Sequence, residues 1–316
     1  MAAVELVKTN TLTRDEWLQA RKKGIGGSDI AAIAGLSPWR SPMAVYLEKI
    51  GEIPDQEETE AMYWGTKLED IVAEEFALRT GMKVQRVNAI LQHPENPWML
   101  ANIDRRIVGK KAGLECKTTS AYGKDQWEGE KVPDMYMLQC QWYMAVTGYE
   151  SWWIAVLIGG NTFIYKEIKR DEDIIAYITK IGRDFWTLVE NRTPPAIDGS
   201  DSSAEVLSLL YPAEQAVEKE IALPDTAQSL IDEYNQAQEM EKVWKEAKEA
   251  AANKLKSLLG ENTIGRVGTH KVSWKPVTSK RIDTEALKKY KPSVYEEFCK
   301  TTTYRRFTVS EIKEAR

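Results

Sequence analysis

In this 316-residue chain, the clearest chemical potential lies in Asp104 and, eleven positions on, Glu115-Cys116-Lys117. Asp104 ends one strand-like run, Trp98 to Asp104, and Glu115 and Lys117 lie in the next, Gly113 to Thr118. Alternation along a strand puts Glu115 and Lys117 on one face. Two carboxylates and an ammonium converging there suit hydrolysis at phosphorus. The carboxylate oxygens would hold Mg²⁺ or Mn²⁺, and the lysine would orient or activate the attacking water. Glu-x-Lys alone says little, because the chain contains it four times. Only Glu115-Lys117 combines a strand-like setting with a preceding strand-end Asp; Glu167-Lys169 merely ends a hairpin. The competing reading is an exposed, salt-bridged ladder without chemistry.

Other residues extend the set. Glu69, beside Asp70, lies on the long helix before the strands, where an inward carboxylate is a third metal ligand and an outward one is solvated surface. Gln139 and Gln141 lie on the helix ahead of the Trp152 strand, and either can hydrogen-bond a metal-bound water or a phosphate; the alternative is a plain polar face. Cys116 reads as a small buried residue rather than a nucleophile, since neither of the two histidines pairs with it in any evident way.

Elements of changing period must position these residues. Thr13 to Lys22 reads as a helix with a Thr13/Glu16 capping box, and Ser28 as the cap of a second, Asp29 to Ala34. Ser41-Pro42 opens a third helix that Gly51 ends. Glu57 to Thr80 is a longer helix, interrupted at Gly65. Lys83 to Gln92, Trp98 to Asp104, Arg106 to Val108 and Gly113 to Thr118 read as strands, and Asp134 to Val146 as a helix. Trp152 to Ile158 and Thr162 to Ile168 flank the turn Gly159-Gly160-Asn161, and Asp171 to Glu190 is helical. This order predicts an α/β fold with a mixed sheet and helices on both sides. The Pro- and Ser-rich stretch from Thr193 to Ser203 reads as a linker, dividing the chain into 1–195 and 196–316. Beyond it lie a long helix, Thr226 to Leu259, and a hairpin around Gly268.

Composition sets the limits. With 43% hydrophobic and 29% charged residues, the chain can build a core. Three cysteines and two histidines give neither a disulfide framework nor zinc-site spacing. No apolar run approaches the roughly 18 residues of a membrane span, and Met1 to Asn10 does not read as a signal peptide, so a cytoplasmic protein is expected. The net charge of −5 is unevenly spread: residues 251–316 hold fifteen Lys/Arg against seven Asp/Glu. Such an excess either tracks phosphates or is solvated surface.

Four short motifs, in order, resemble one family. Arg21 with Gly26-Gly27-Ser28-Asp29-Ile30-Ala31, then Trp64-Gly65-Thr66-Lys67-Leu68-Glu69, then Asp104 with Glu115-Cys116-Lys117, then Tyr136 to Thr147 are similar to the signatures of lambda-exonuclease-type phage nucleases. The match is closer to their YqaJ-like viral recombinase branch. The resemblance covers about residues 10–190 and implies a restriction-endonuclease-like fold. It implies that Glu69, Asp104, Glu115 and the Cys116 carbonyl hold one or two Mg²⁺ ions. Lys117 would position the water, helped by Gln139 or Gln141, with Gln141 slightly favoured. Arg21 and Ser28 would bind the 5′-terminal phosphate. An arginine fork and a hydroxyl at a helix start are chemically suited to that.

The resemblance further implies a 5′→3′ exonuclease on linear double-stranded DNA, leaving 3′ tails for a RecT-like or Beta-like annealing partner. A homo-oligomer is expected, a trimeric ring being the form of the short members, although residues 200–316 have no counterpart in those. The alternatives are an endonuclease of the same fold and a non-catalytic DNA-binding or assembly protein.

Overall fold

The computed structural model describes residues 3–54 and 58–311. Glu57, the expected start of the long helix, and Lys313 and Arg316 of the basic tail lie outside the described residues. The chain divides into two compact units, Met1–Tyr211 and Pro212–Arg316.

The first unit opens with β1 (Val4–Lys8), α1 (Arg14–Arg21), α2 (Gly27–Ile33), α3 (Pro42–Ile50) and α4 (Glu60–Thr80). The strands β2 (Val84–Arg86), β3 (Ala89–Gln92), β4 (Leu100–Ala101), β5 (Arg105–Ile107) and β6 (Ala112–Thr119) follow. It closes with α5 (Asp134–Thr147), β7 (Ser151–Ile158), β8 (Thr162–Lys169), α6 (Glu172–Glu190) and α7 (Asp201–Leu210). The central sheet has the order β2-β5-β6-β7-β8, with β6 and β7 parallel and the other neighbours antiparallel. A parallel step needs a crossover, which α5 supplies. The strands β1, β3 and β4 form a second, antiparallel sheet.

Local chemistry explains the helix ends. The Thr13 N–H donates to Glu16 Oε2 (2.8 Å) and the Glu16 N–H to Thr13 Oγ1 (3.3 Å), the reciprocal capping box expected at α1. Ser41 Oγ accepts from the Ala44 N–H (3.2 Å), Pro42 takes the first turn of α3, and Gly51 ends it. Gly26, not Ser28, precedes the first turn of α2, and Ser28 lies inside that helix. Gly65 does not interrupt α4.

The pleat of β7 sorts the core. Trp152, Ile154, Val156 and Ile158 join the larger core with residues of α2, α5 and α6, while Trp153, Ala155 and Leu157 face a smaller one with Val72, Ala73 and Phe76 of α4. Each large side chain so buried contributes about 1.5–3 kcal/mol. Gly113 of β6 lies in register with Trp152, and a Cβ there would come within 2.3 Å of the indole ring, so only glycine fits.

In the first unit the structure differs from the sequence reading at four further places. The expected strand Lys83–Gln92 splits into β2 and β3, which join different sheets. At the break, the Asn88 carbonyl accepts from the Thr9 N–H (2.9 Å). Of Trp98–Asp104 only Leu100–Ala101 is strand, and Asp104 sits in a bend just ahead of β5. β1 has no counterpart in the sequence reading. Neither does α7, which begins within the presumed linker: Ser202 Oγ accepts from the Ser41 N–H (3.0 Å), tying α7 to the start of α3.

The second unit contains the expected long helix, α8 (Ala227–Leu259), and the expected hairpin, β9 (Ile264–Val267) and β10 (His270–Ser273). Two short helices, α9 (Thr284–Tyr290) and α10 (Pro292–Phe298), follow. Among the described residues, no helix is long and apolar enough to cross a membrane.

Candidate active site

β6 runs beside β5 on one edge and β7 on the other, so its middle lies in the centre of the sheet. Its pleat separates core from chemistry. Leu114 and Cys116 turn to the core beneath α4. Glu115 and Lys117, on the opposite face, meet α5. Glu115 is 2% exposed, and its Oε1 accepts from Lys117 Nζ (2.6 Å) and from Gln139 Nε2 (2.7 Å). Gln139 Nε2 also lies 2.9 Å from the Tyr143 hydroxyl oxygen, and Lys117 Nζ sits 4.7 Å above the Tyr136 ring centre. The other oxygen, Glu115 Oε2, is buried without a hydrogen-bond partner. The bend ahead of β5 brings in Asp104, whose Oδ2 accepts from the Cys116 N–H (2.8 Å).

Burial, reinforced by the charges of Glu115 and Glu69, holds the Asp104 carboxyl well above the usual range. Burial also raises Glu115, against the opposing pull of Lys117. For Lys117, burial disfavours the charge, but Glu115 and Asp104 outweigh it and the ammonium titrates above its ordinary value. Burial and the same carboxylates push the Cys116 thiol up, so it is no thiolate nucleophile.

Glu69 projects from α4 toward the same end of the sheet. Its Oε1 accepts from Arg105 Nη1 (2.5 Å), while Arg105 Nη2 reaches Asp70 (2.5 Å) and Nη1 also donates to the Asp104 carbonyl (2.6 Å). Arg105 thereby rivets α4 to the start of β5. Glu69, Thr66, Asn102 and Asp104 line one cleft of about 440 Å³. Among the described residues, no three His, Cys, Asp or Glu side chains are gathered as a ready metal-ligand group. The donor set nonetheless fits a hard divalent cation: all its atoms are oxygens, two carboxylates are raised by burial, and Glu115 Oε2 has no partner.

Gln141 stands apart from this cluster. Its Nε2 donates to the Lys169 carbonyl (2.8 Å) and its Oε1 accepts from the Asp171 N–H (3.0 Å), so it joins the end of β8 to the start of α6. Two residues apart on a helix is about 200° of rotation, so Gln139 and Gln141 cannot face one site. The preference for Gln141 in the sequence reading is therefore corrected in favour of Gln139.

Arg21 and Ser28 are brought together. Arg21 Nη2 donates to Ser28 Oγ (3.3 Å), and its guanidinium lies 4.8 Å over the Trp17 ring. Gly27 seats this segment on α5: a Cβ there would lie 2.6 Å from the Tyr143 ring and 3.0 Å from Gln139 Cγ. Beneath Arg21 is a network that sequence reasoning missed. Asp29, fully buried, takes Lys49 Nζ at 2.7 Å and Arg40 Nη1 at 2.8 Å, with Arg21 at 3.6 Å. It also accepts from the Gly26 N–H (2.9 Å). Burial opposes its charge, but Lys49, Arg40 and Arg21 outweigh burial and hold its carboxyl far below the usual range. With Glu48 on Arg40, three cations meet two carboxylates, leaving one positive charge in excess. Asp29 stands in the Gly26-Gly27-Ser28-Asp29-Ile30-Ala31 motif, where the sequence signals it; Arg40 and Lys49 come from a separate segment.

A mixed β-sheet with helices on both faces, carrying Glu115 and Lys117 on central β6 with Asp104 in the bend ahead of the neighbouring β5, defines an α/β fold with a carboxylate–lysine cluster. Residues 16–150 match the YqaJ-like viral recombinase domain. The chain is 45% identical over 312 residues to the uncharacterized protein YqaJ of Bacillus subtilis (strain 168), covering 97% of each. It therefore belongs to the YqaJ family. Among solved structures it is similar to an alkaline exonuclease, LHK-Exo, from Laribacter hongkongensis, at 23% identity and a TM-score of 0.49, covering 57% of this chain and 94% of that one. It is also similar to a phage-related exonuclease from Haemophilus somnus 129PT, at 13% identity and a TM-score of 0.43, covering 54% and 96%.

Proposed function

We propose that this protein is a metal-dependent deoxyribonuclease that degrades linear double-stranded DNA from 5′ ends and leaves 3′ single-stranded tails for recombination. The observation that carries the reading is the cluster of buried Glu115 and Gln139 with half-buried Asp104 and Lys117, with one unpartnered carboxylate oxygen, beside a cleft. Membership of a viral recombinase family supports the recombination setting. The end polarity and a RecT-like or Beta-like annealing partner rest on the motif resemblance.

Asp104, Glu115 and the Cys116 carbonyl, with Glu69 once released from Arg105, would hold Mg²⁺ or Mn²⁺. Such a cation, when bound, polarises a phosphodiester and lowers the pKa of water. Lys117 stays protonated beside Glu115 and orients the attacking water through its N–H donors rather than accepting a proton. Gln139 fixes the Glu115 carboxylate and keeps its second oxygen free. Arg21 and Ser28 supply donors for a terminal phosphate, and the excess positive charge of the Asp29 network favours an anion there.

The test uses linear duplexes labelled at each 5′ and 3′ end, with and without a 5′ phosphate, beside sealed circles, in Mg²⁺ and in EDTA. Metal-dependent loss from 5′-phosphorylated ends with intact circles is expected. Cut circles would make the enzyme an endonuclease, and absence of cleavage with any metal would leave a DNA-binding or assembly role.

A further inference from the structure

The helix α8 is 33 residues, about 50 Å, long, and within its own unit it buries only Leu259. Leu230, Tyr234, Met240, Trp244, Leu255 and Leu258 are all exposed, Trp244 by 67%. At 100° per residue these six fall within about a third of the helix circumference, a mainly apolar band. The described tail touches it at one end, where Phe307 packs edge-on against Tyr234 at 5.6 Å and leaves Tyr234 exposed.

Charge decides what can cover this band. From Ala227 to Glu241 the helix has four acidic residues and no basic one; from Lys242 to Leu259 it has five lysines and two glutamates. The helical period also puts Glu233, Glu241 and Lys248 inside the band itself. A parallel second helix would set Glu241 on Glu241 and Lys248 on Lys248. An antiparallel one, centred near Trp244, sets Glu241 against Lys248 twice, once on each side of the centre, and lays the acidic half of each helix along the lysine-rich half of the other, while the apolar side chains meet along the seam.

We propose that α8 is a self-association element: two copies of this chain pair antiparallel through the Leu230–Leu258 band. The occupant is a second copy, because the band is complementary in charge to itself reversed. The pairing does not depend on the nuclease reading.

Sedimentation equilibrium of the full chain tests it. A dimer is expected at roughly 10 μM, and Trp244→Lys should convert it to monomer. The single changes Glu241→Lys and Lys248→Glu should each weaken the dimer about five- to tenfold, and the double exchange should restore it to within about threefold of wild type. Both charge positions are exposed, so these variants leave the fold intact. A wild-type monomer at roughly 50 μM, a trimer or larger assembly, a dimer undisturbed by Trp244→Lys, or a double exchange as weak as the singles would each overturn the proposal.

Discussion

Replacing Asp29 with asparagine should destabilise the first unit by about 3–5 kcal/mol, the range seen when one partner of a buried ion pair is removed. The upper part of that range is expected because of what is left behind. Asp29 and Lys49 are 2.7 Å apart with both side chains wholly inaccessible to water, and Arg40 is also bound at 2.8 Å. An amide keeps the shape but returns no charge, so a buried ammonium is left without its counter-ion. In a unit of this size the loss corresponds to a melting temperature lower by roughly 6–20 °C. Thermal unfolding followed by circular dichroism measures it. Adding Lys49→Met should recover much of the loss, because the orphaned charge goes with it. A loss under about 1 kcal/mol, or no recovery in the double variant, would refute the argument that Asp29 organises the cluster.

The sign with pH is fixed by the same cations. They hold the folded-state pKa of Asp29 below its unfolded value of about 3.9. Its stabilisation is therefore fully present above that pH and is lost as pH falls toward the folded value. The gap between wild type and Asp29→Asn should be flat from about pH 5 to 8 and narrow in stronger acid.

Other variants separate roles within the site. Lys117→Met should lower cleavage at least about 10³-fold while leaving DNA affinity within a few-fold in a binding assay. Gln139→Ala should reduce turnover, because Glu115 loses its 2.7 Å donor; Gln141→Ala should instead cost about 1–3 kcal/mol of stability, since the Lys169 carbonyl and Asp171 N–H lose their partner. Arg21→Ala should weaken digestion of 5′-phosphorylated ends about 10- to 100-fold with little effect on 5′-hydroxyl ends, measured on matched labelled duplexes.

How much of this was legible depended on whether a feature is local. The α1 capping box, the Ser41-Pro42 start and the glycine stops are short-range chemistry, and they stand in the structure as read. The alternation that puts Glu115 and Lys117 on one face is equally local. The Lys83–Gln92 stretch failed because one extended run can serve two sheets, and only tertiary pairing decides where it divides. The glutamines illustrate the limit differently: their types and spacing were plain, but which one faces Glu115 depends on how α5 is rotated against the sheet. Nothing in the local sequence marks Arg40 or Lys49 until the fold closes them over Asp29. Arg105 was passed over for a related reason, since its partners Glu69 and Asp70 lie 36 and 35 residues away.

The same site explains why a core built around the wholly buried Trp142 and Trp152 keeps two uncomfortable carboxylates beside it. Nothing in the packing needs the second charge: Glu115 already neutralises Lys117, while burial and the neighbouring carboxylates raise Asp104. On the proposed metal-binding reading, the Asp104 charge works against folding until a cation binds it. Asp104→Asn should accordingly make the metal-stripped protein more stable, by the order of 1 kcal/mol or roughly 2–4 °C, since the amide can still accept from the Cys116 N–H. The same variant should lose the stabilisation that Mg²⁺ or Mn²⁺ gives the wild type. Thermal melts in EDTA and in titrated metal read both effects. If Asp104→Asn were destabilising in EDTA and metal shifted it as much as wild type, the carboxylate would be a structural acceptor for β6 and not a ligand.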